Sequence, residues 1–366
     1  MYSKNITSAE IGLISMIGLS TSTLTQPFWG RLADRFPRRV LLISLSTFLA
    51  FTYVLTILAS NLYHFIILST MTYAFTMAVD STSATHAAHL TESTEVGGGL
   101  GRWRISVSLG WAIATLFSGL LTDIFGFPSI FLISAAITLF SAFFFKSVGE
   151  DGKSHESKKT RISGASILRQ KSLLVLYISI FLIWIAHAPI PLFLSLYLYQ
   201  PPFNTPKTLI SIAFSLGAIA EIPAMLYFGF LSDKIGRKLL LSVCLFAYPV
   251  RLFLTAMFND PISVLFVQLL SGLTFGGLYV VSIAYISDVV PNKMRGTAVG
   301  FYGMAMNLGL ILGSSIGGSI IDYLGFKMMY ELMALSSIIP ALLFIIAGKE
   351  TLLTPEMRRT HRLKKF

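Results

Sequence analysis

The chain has 366 residues, of which 54% are hydrophobic and only 12% are charged, and its mean hydropathy is +0.73. A soluble domain is typically about a quarter charged because its surface must face water, so an ordinary soluble fold is excluded. The 28 Lys and Arg residues against 17 Asp and Glu residues give a net charge of +11, which in a soluble protein would suggest a nucleic-acid partner.

Apolar runs long enough to cross about 30 Å of hydrocarbon as helices recur along the whole chain. The eleven predicted spans are 8–29, 38–59, 62–90, 104–125, 127–147, 173–199, 208–230, 239–258, 261–286, 297–322 and 326–348. The sequence therefore predicts an all-α integral membrane protein.

The longest polar stretch, 148–172, is rich in charged residues and separates the fifth span from the sixth. We interpret it as a linker between two helical bundles. The predicted organisation is an N-terminal bundle of five spans at 1–147, the linker at 148–172, a six-helix bundle at 173–348 and a basic tail at 349–366.

The Lys and Arg residues are concentrated in alternate loops. Of the 28, 24 fall on one side of the predicted membrane, three fall on the other side (Lys4, Lys207 and Lys327), and Arg251 lies within a span. Because cytoplasmic loops carry an excess of Lys and Arg, the linker and C-terminus are predicted to be cytoplasmic and Met1 to lie outside. The basic charge then reflects the topology of a multi-pass cell-membrane protein, and no nucleic-acid partner is expected.

Two sequence motifs occur twice, both at an offset of 199 residues. The first is a loop motif, at 30–39 (GRLADRFPRR) and 229–238 (GFLSDKIGRK), and the second is a D-x-x-G-F motif at 123–127 and 322–326. Two matches at one offset indicate a duplicated six-helix unit, and parallel repeats of this kind build transporters with a central site.

The repeat also predicts a missing element. The counterpart of span 173–199 would lie at roughly −26 to 0, ahead of Met1. We therefore expect eleven of twelve spans in this chain, with the first helix of the first unit absent.

The loop motif combines glycines, an aspartate and basic residues. Glycine allows helices to approach closely, and a carboxylate can face a helix N-terminus or pair with the basic residues that follow it. Such a cluster could hold one conformation closed, and the alternative is a basic loop that only sets topology. The candidate gate residues are Gly30, Asp34, Arg35, Arg38, Gly229, Asp233, Gly236, Arg237 and Lys238.

The loop motif, its repetition and the number of spans resemble the major facilitator superfamily, whose signature G-x-L-[AS]-D-[RK]-x-G-[RK]-[RK] recurs in each half. The resemblance implies two pseudo-symmetric bundles and secondary transport by alternating access. Pro37 departs from the signature, since it replaces the second glycine in the first copy. The helix missing from the family plan lines its central cavity, so a truncated, non-transporting membrane protein or a solute sensor is an alternative from another class.

The sequence Gly101-Arg102-Trp103-Arg104, followed by Gly110-Trp111, resembles the sugar and nucleoside proton symporter branch that includes lactose permease. The resemblance implies that Arg104 binds solute hydroxyls and that Trp111 stacks on a ring, roles that suit a guanidinium and an indole. The alternative is that Arg104 is a cytoplasmic anchor and Trp111 an ordinary packing residue.

Ionisable residues inside apolar spans are costly and are therefore functional candidates. Asp80 lies in the span before Arg104, where the branch places an acidic partner, and a buried carboxylate is a candidate proton carrier. Arg251 follows Lys238 by 13 residues, as a functional arginine does in the same branch, and Glu221 is its candidate counter-ion. For each of these residues a purely structural ion pair is the alternative.

His187 and Asn307 complete the predicted substrate-binding set. His187 lies beside two prolines that could break its helix near the membrane midplane, although it could also be a packing residue. The histidine and glutamate that the branch carries in its tenth helix are replaced here by Ser271 and Thr274, so proton coupling by that route is not supported.

The predicted function is secondary active transport of a small polar organic solute, sugar-like or nucleoside-like, with proton coupling; drug or sugar efflux within the same superfamily is the alternative. The Gly-Pro pair typical of drug antiporters does not occur in 104–125.

No P-loop or nucleophile elbow is present, so no enzyme is predicted. No cofactor or metal is expected, since His86 and His89 lack a third ligand and Cys244 is the only cysteine. The expected partners are the solute, protons and the lipid bilayer, and a monomer is expected.

Overall fold

The computed structural model describes residues 6–89, 96–146, 165–291 and 294–352, and their regular secondary structure is helical throughout. The first half contains α1 (Ser8–Arg35), α2 (Arg38–Ile57), α3 (Leu62–His89), α4 (Val96–Phe125) and α5 (Phe127–Phe145). The second half contains α6 (Lys171–Tyr199), α7 (Lys207–Ile235), α8 (Arg237–Met257), α9 (Pro261–Val289), and α10 and α11, which divide Arg295–Ala347 at Gly325.

Nine helices in the described ranges are long and apolar enough to cross a membrane. One of them, Arg295–Ala347, supplies two spans because Gly325 interrupts it with a φ of 83°. The remaining predicted span corresponds to α1, which has 28 residues but a more polar composition. All eleven predicted spans therefore form helices. The predicted division at the 148–172 linker remains a prediction, and most of that linker lies outside the described residues.

Two helices are irregular near the middle of their length. Helix α6 consists of Lys171–His187 and Pro189–Tyr199, which meet at Ala188, as the prolines predicted. Helix α9 contains a π-helical segment, Gly272–Gly277, which the sequence analysis did not predict. A Cβ atom on Gly276 would lie 2.9 Å from the Glu221 carbonyl oxygen, so glycine is required where α9 crosses α7.

The buried apolar side chains form clusters of different kinds. One cluster lies within the second half and includes Leu245, Tyr248 and Tyr285. Another joins the two halves, because Ile14 and Phe65 of the first half belong to the same cluster as Phe193, Tyr197 and Tyr330 of the second. Many large apolar side chains on the outer surface are exposed, as expected where a protein faces lipid.

The two ends of the molecule differ. We call the end with the repeated loop motif the basic end, and the end with the two left-handed glycines Gly126 and Gly325 the corner end. Towards the corner end, Gly12 of α1 packs directly against the Ser314 backbone of α10. Gly303 lies on the same face of α10, about three helical turns nearer the basic end, and no described atom outside its own stretch of α10 lies within 4 Å of a Cβ built there. The two halves therefore meet at the corner end and diverge towards the basic end.

Candidate solute site and gates

Hydroxyl groups line the contact between α4 and α7. The Thr115 and Ser215 hydroxyl oxygens are 3.0 Å apart, and those of Ser118 and Ser211 are 3.3 Å apart. Ser215 also donates to the Ala112 carbonyl oxygen at 3.1 Å. Because these contacts join the two halves, they form a polar seam where the halves converge.

Two of the predicted solute-binding residues lie beside the divergent region. Trp111 is one helical turn before Thr115, on the same face of α4, and is 59% exposed. Asn307 is half-buried and lies between Gly303 and Ser314 on one face of α10. The Arg104 side chain lies outside the described residues, so its predicted pairing with Asp80 stays a prediction; Asp80 itself is half-buried in α3.

Arg251 is more buried than Asp80 or Glu221. Its side chain is only 4% exposed, and its guanidinium donates to the Thr274 hydroxyl and to Gln268 Oε1, both at 2.8 Å. Both acceptors belong to α9, and Thr274 lies inside the π-helical segment. Helix α9 therefore fixes the orientation of this guanidinium.

Glu221 also contacts α9. Its carboxylate accepts a hydrogen bond from the Ser271 hydroxyl at 2.6 Å. Ser271 and Thr274 are three residues apart and contact Glu221 and Arg251, respectively. Glu221 and Arg251, which the sequence suggested as a pair, are thus hydrogen-bonded to two hydroxyls that lie three residues apart on α9.

Aromatic rings surround His187 at the break in α6. Its ring centroid lies 4.5 Å from that of Trp184, 5.8 Å from that of Tyr248 and 6.1 Å from that of Phe275. The angles between the ring planes range from nearly parallel to nearly perpendicular, and aromatic rings favour both arrangements. These contacts fit the packing interpretation of His187 as well as the solute-binding one.

Several polar atoms in this region have no hydrogen-bond partner in the described part of the chain. They are Trp184 Nε1, His187 Nδ1, Tyr248 Oη and Arg251 Nε, and all four are buried. Buried polar groups are nearly always satisfied, so a cluster of exceptions requires an explanation. Its composition, chiefly N–H and O–H donors beside aromatic rings, suits a planar or ring-shaped solute that carries hydrogen-bond acceptors.

Trp184 and Tyr248 of this cluster, and Gln268 beside it, were not predicted from the sequence. Tyr248 lies three residues before Arg251 on α8, and Gln268 is the only uncharged amide side chain in its span. A search for polar residues on the same helical face as each intramembrane charge would have identified Tyr248. A search for amides within spans would have identified Gln268.

The second copy of the loop motif forms an ion-pair cluster at the basic end. Arg237 is only 7% exposed and donates to Asp288 Oδ2 at 3.1 Å, and it also contacts Asp233 and Ser232. Asp288 and Ser232 were not predicted. In the first copy Arg38 is buried, whereas the surroundings of Gly30 and the side chains of Asp34 and Arg35 are not among the described features.

Glu350, just beyond α11, caps the start of α8. Its carboxylate accepts hydrogen bonds from the backbone N–H groups of Arg237 at 2.9 Å and Lys238 at 3.0 Å. Gly236 has a φ of 104°, and a Cβ there would crowd the Glu350 carboxylate, which explains the second glycine of this copy. Burial alone would raise the Glu350 pKa, but the backbone donors outweigh burial and hold the pKa below its ordinary value of 4.5.

The Glu350 cap predicts a pH-dependent contribution to stability. A depressed carboxyl pKa stabilises the folded protein above its unfolded-state pKa, and this contribution is lost as the pH falls through the folded-state pKa. We expect Glu350→Gln to lower stability by about 1 kcal/mol at pH 7. The difference in melting temperature between this variant and wild type should shrink as the pH falls below 4.5, the ordinary pKa of the group. A difference that does not change with pH would contradict the role of the charge.

Together these features define a multi-pass helical membrane protein in which two bundles meet around a polar central region. The chain belongs to the major facilitator superfamily: the model of the MFS_1 like family matches residues 1–332, so the chain is a membrane transporter. The predicted fold class and transport function are confirmed. Among the described residues, no group of three or more His, Cys, Asp and Glu side chains could hold a metal ion.

The relatives include multidrug resistance proteins. The chain is 25% identical over 329 residues to the multidrug resistance protein MdtG of Salmonella arizonae, a match that covers 87% of this chain and 80% of that protein. It is 24% identical over 334 residues to MdtG of Rahnella sp., a match that covers 88% and 80%, respectively.

Solved structures share the fold at lower identity. The nucleoside transporter NupG superposes with a TM-score of 0.81 at 16% identity, over 94% of this chain and 92% of NupG. A bacterial homologue of the human lysosomal transporter Spinster, in an inward-facing and occupied conformation, superposes with a TM-score of 0.79 at 12% identity, over 94% and 90% of the two chains.

Proposed function

We propose that this transporter moves a small polar organic solute with a ring, of the sugar or nucleoside type, together with protons. The observation that carries the proposal is the buried polar network on α9, in which Arg251 and Glu221 bind neighbouring hydroxyls beside unpartnered donors. Ionisable residues inside a membrane protein are costly, so a network that contains two of them is a functional candidate.

The solute site that we propose lies between the halves, next to this network. Trp111 and Asn307 approach it from α4 and α10, and the His187 region approaches it from α6. A ring could stack on an aromatic face while its oxygens accept hydrogen bonds from the unpartnered donors. Arg104 remains a further candidate for this site.

Glu221 is the proton carrier that we propose within the network. A carboxylate that accepts a hydrogen bond from Ser271 Oγ can take up a proton without leaving its position, and protonation changes the charge that faces Arg251. Alternating access would then expose Glu221 to each side in turn. Asp80 is a second candidate carrier in the first half.

This function predicts that uptake follows a pH gradient. We expect proteoliposomes with an acidic exterior to accumulate radiolabelled uridine or glucose, and Glu221→Gln to abolish accumulation while solute exchange at equal pH continues. Glu331→Gln, which alters a half-buried carboxyl of α11, is the matched control and should behave as wild type. Uptake that ignores the gradient would refute proton symport, and an unchanged Glu221→Gln variant would refute the role of Glu221.

Drug efflux is the second candidate function, because the MdtG relatives match 87% of the chain. Under this alternative the aromatic region around His187 would bind a flat apolar cation. Cells that express the protein would then accumulate less ethidium than cells with an empty vector, and proteoliposomes would take up neither uridine nor glucose. This pair of results would favour efflux over uptake.

We also propose that the basic end faces the cytoplasm of a cell-membrane protein that acts as a monomer. The distribution of Lys and Arg supports this orientation. The test is to label a cysteine introduced at Tyr63 in intact cells with a membrane-impermeant maleimide. Tyr63 is 74% exposed near the corner end, so the proposed orientation predicts labelling from outside.

A further inference from the structure

The repeated D-x-x-G-F motif forms a tight corner between two helices in each half. Helix α4 ends where Gly126, with a φ of 78°, donates its N–H to the Thr122 carbonyl oxygen at 3.0 Å, and α5 begins at the next residue. Gly325 has a φ of 83° at the corresponding corner between α10 and α11. Neither corner belongs to the solute site or to the basic end.

In the second corner, the aspartate of the motif reaches the other half of the protein. Asp322 Oδ1 accepts a hydrogen bond from the Ser8 N–H at 2.9 Å, and Asp322 Oδ2 accepts one from the Ala9 N–H at 2.8 Å. These are the first two N–H groups of α1, whose partners must come from outside the helix. A carboxylate of the second half thus caps a helix of the first half.

In the first corner, the aspartate makes the reciprocal contact. Asp123 Oδ2 accepts hydrogen bonds from the Thr208 N–H at 2.9 Å and from the Thr208 hydroxyl at 2.7 Å. Lys207 Nζ lies 3.7 Å from Asp123 Oδ1. Thr208 is the second residue of α7 and lies 199 residues after Ala9, so the repeat relates the two contacts to each other.

We propose that the repeated D-x-x-G-F motif forms two interlocking clasps that hold the transporter closed at the corner end. A carboxylate at a helix N-terminus gains both charge-assisted hydrogen bonds and a favourable interaction with the helix dipole. Each clasp joins opposite halves, so the halves cannot separate at this end without breaking both. The apolar contacts between the halves have no preferred direction. The hydrogen bonds of the clasps do, so they fix one relative position of the two halves in the closed state.

Asp260 provides an internal comparison. It lies at the corner end too, and its Oδ1 accepts a hydrogen bond from the Ser263 N–H at 2.7 Å at the start of α9. This cap uses the same chemistry as the clasps, but both residues belong to the second half. Loss of the Asp260 cap should therefore weaken α9 locally without changing how the halves separate.

The test measures conformation alone, so it depends on neither the cargo nor proton coupling. Spin labels at Tyr63→Cys and Ile262→Cys, both exposed positions near the corner end of opposite halves, report their separation in nanodiscs by pulsed electron resonance. Cys244 is fully buried and stays in place. We expect Asp123→Ala or Asp322→Ala to raise the ratio of open to closed molecules at this end about tenfold, and the double variant to raise it about a hundredfold.

Two further variants keep the test decisive. Thr208→Val removes one hydrogen bond of the first clasp but keeps the backbone N–H, so it should open the corner end less than Asp123→Ala does. It also gives a folded protein to measure if the double variant does not fold. Asp260→Ala should leave the distances unchanged. The proposal is overturned if the clasp variants give the wild-type distance distribution, or if Asp260→Ala opens the corner end to the same extent.

Discussion

Replacing Arg251 with lysine should lower solute uptake by about a hundredfold while the protein still folds. A guanidinium can donate simultaneously to the Thr274 hydroxyl and to Gln268 Oε1, whereas an ammonium group is a compact charge without the planar fork. The loss of one charge-assisted hydrogen bond and of the fixed geometry corresponds to about 2–3 kcal/mol. The measurement is the initial uptake rate in proteoliposomes, using the solute that wild type transports.

The matched control for this prediction is Arg295→Lys. Arg295 is exposed at the start of α10 and donates to the Ser287 carbonyl oxygen at 3.1 Å, so the substitution should change uptake less than about twofold. Wild-type uptake by Arg251→Lys would show that the guanidinium is only structural. A melting temperature close to that of wild type would establish that the loss of uptake does not reflect unfolding.

The second large effect is expected on stability, for Arg237→Ala. The Arg237 side chain is almost fully buried and connects Asp288 with Asp233 and Ser232. Removal of one member of a buried ion-pair cluster costs about 3–5 kcal/mol, and the partial exposure of both aspartates reduces this to about 2–3 kcal/mol. The melting temperature of the purified protein should therefore fall by at least several degrees.

Lys238→Ala separates this effect from a general loss of positive charge. Lys238 is half-buried, and its contact with Glu350 uses its backbone N–H, which alanine retains. We expect its free energy of unfolding to stay within about 0.5 kcal/mol of wild type. Equal destabilisation by the two substitutions would contradict the role of the Arg237 side chain.

The spans and the break in α6 could be predicted from the sequence because they depend on local properties. A run of apolar residues predicts a spanning helix wherever it occurs, and proline disrupts helical hydrogen bonding regardless of its neighbours. The burial of Arg251 could be predicted for the same reason, since its flanking sequence is apolar. Repetition identified the loop motif and the corner motif, although it did not say what the aspartates contact.

The contacts between helices could not be predicted in the same way. Asp322 and Ser8 are 314 residues apart, and their proximity depends on how two separate bundles dock. The predicted pairing of Glu221 with Arg251 stays a prediction, and the sequence did not indicate that both residues donate to or accept from side chains of α9. That arrangement depends on the close approach of α9 to α7, which only the packed structure reveals.

The π-helical segment in α9 has a consequence for comparisons with relatives. A π-helix closes its hydrogen bonds from residue i to residue i+5 and commonly accommodates one extra residue within an α-helix. Gln268 precedes Gly272–Gly277, and the buried Ser282 follows it. A gap-free alignment with a transporter whose helix lacks this segment would therefore match one of these positions to the wrong residue, so the two parts of α9 need to be aligned separately.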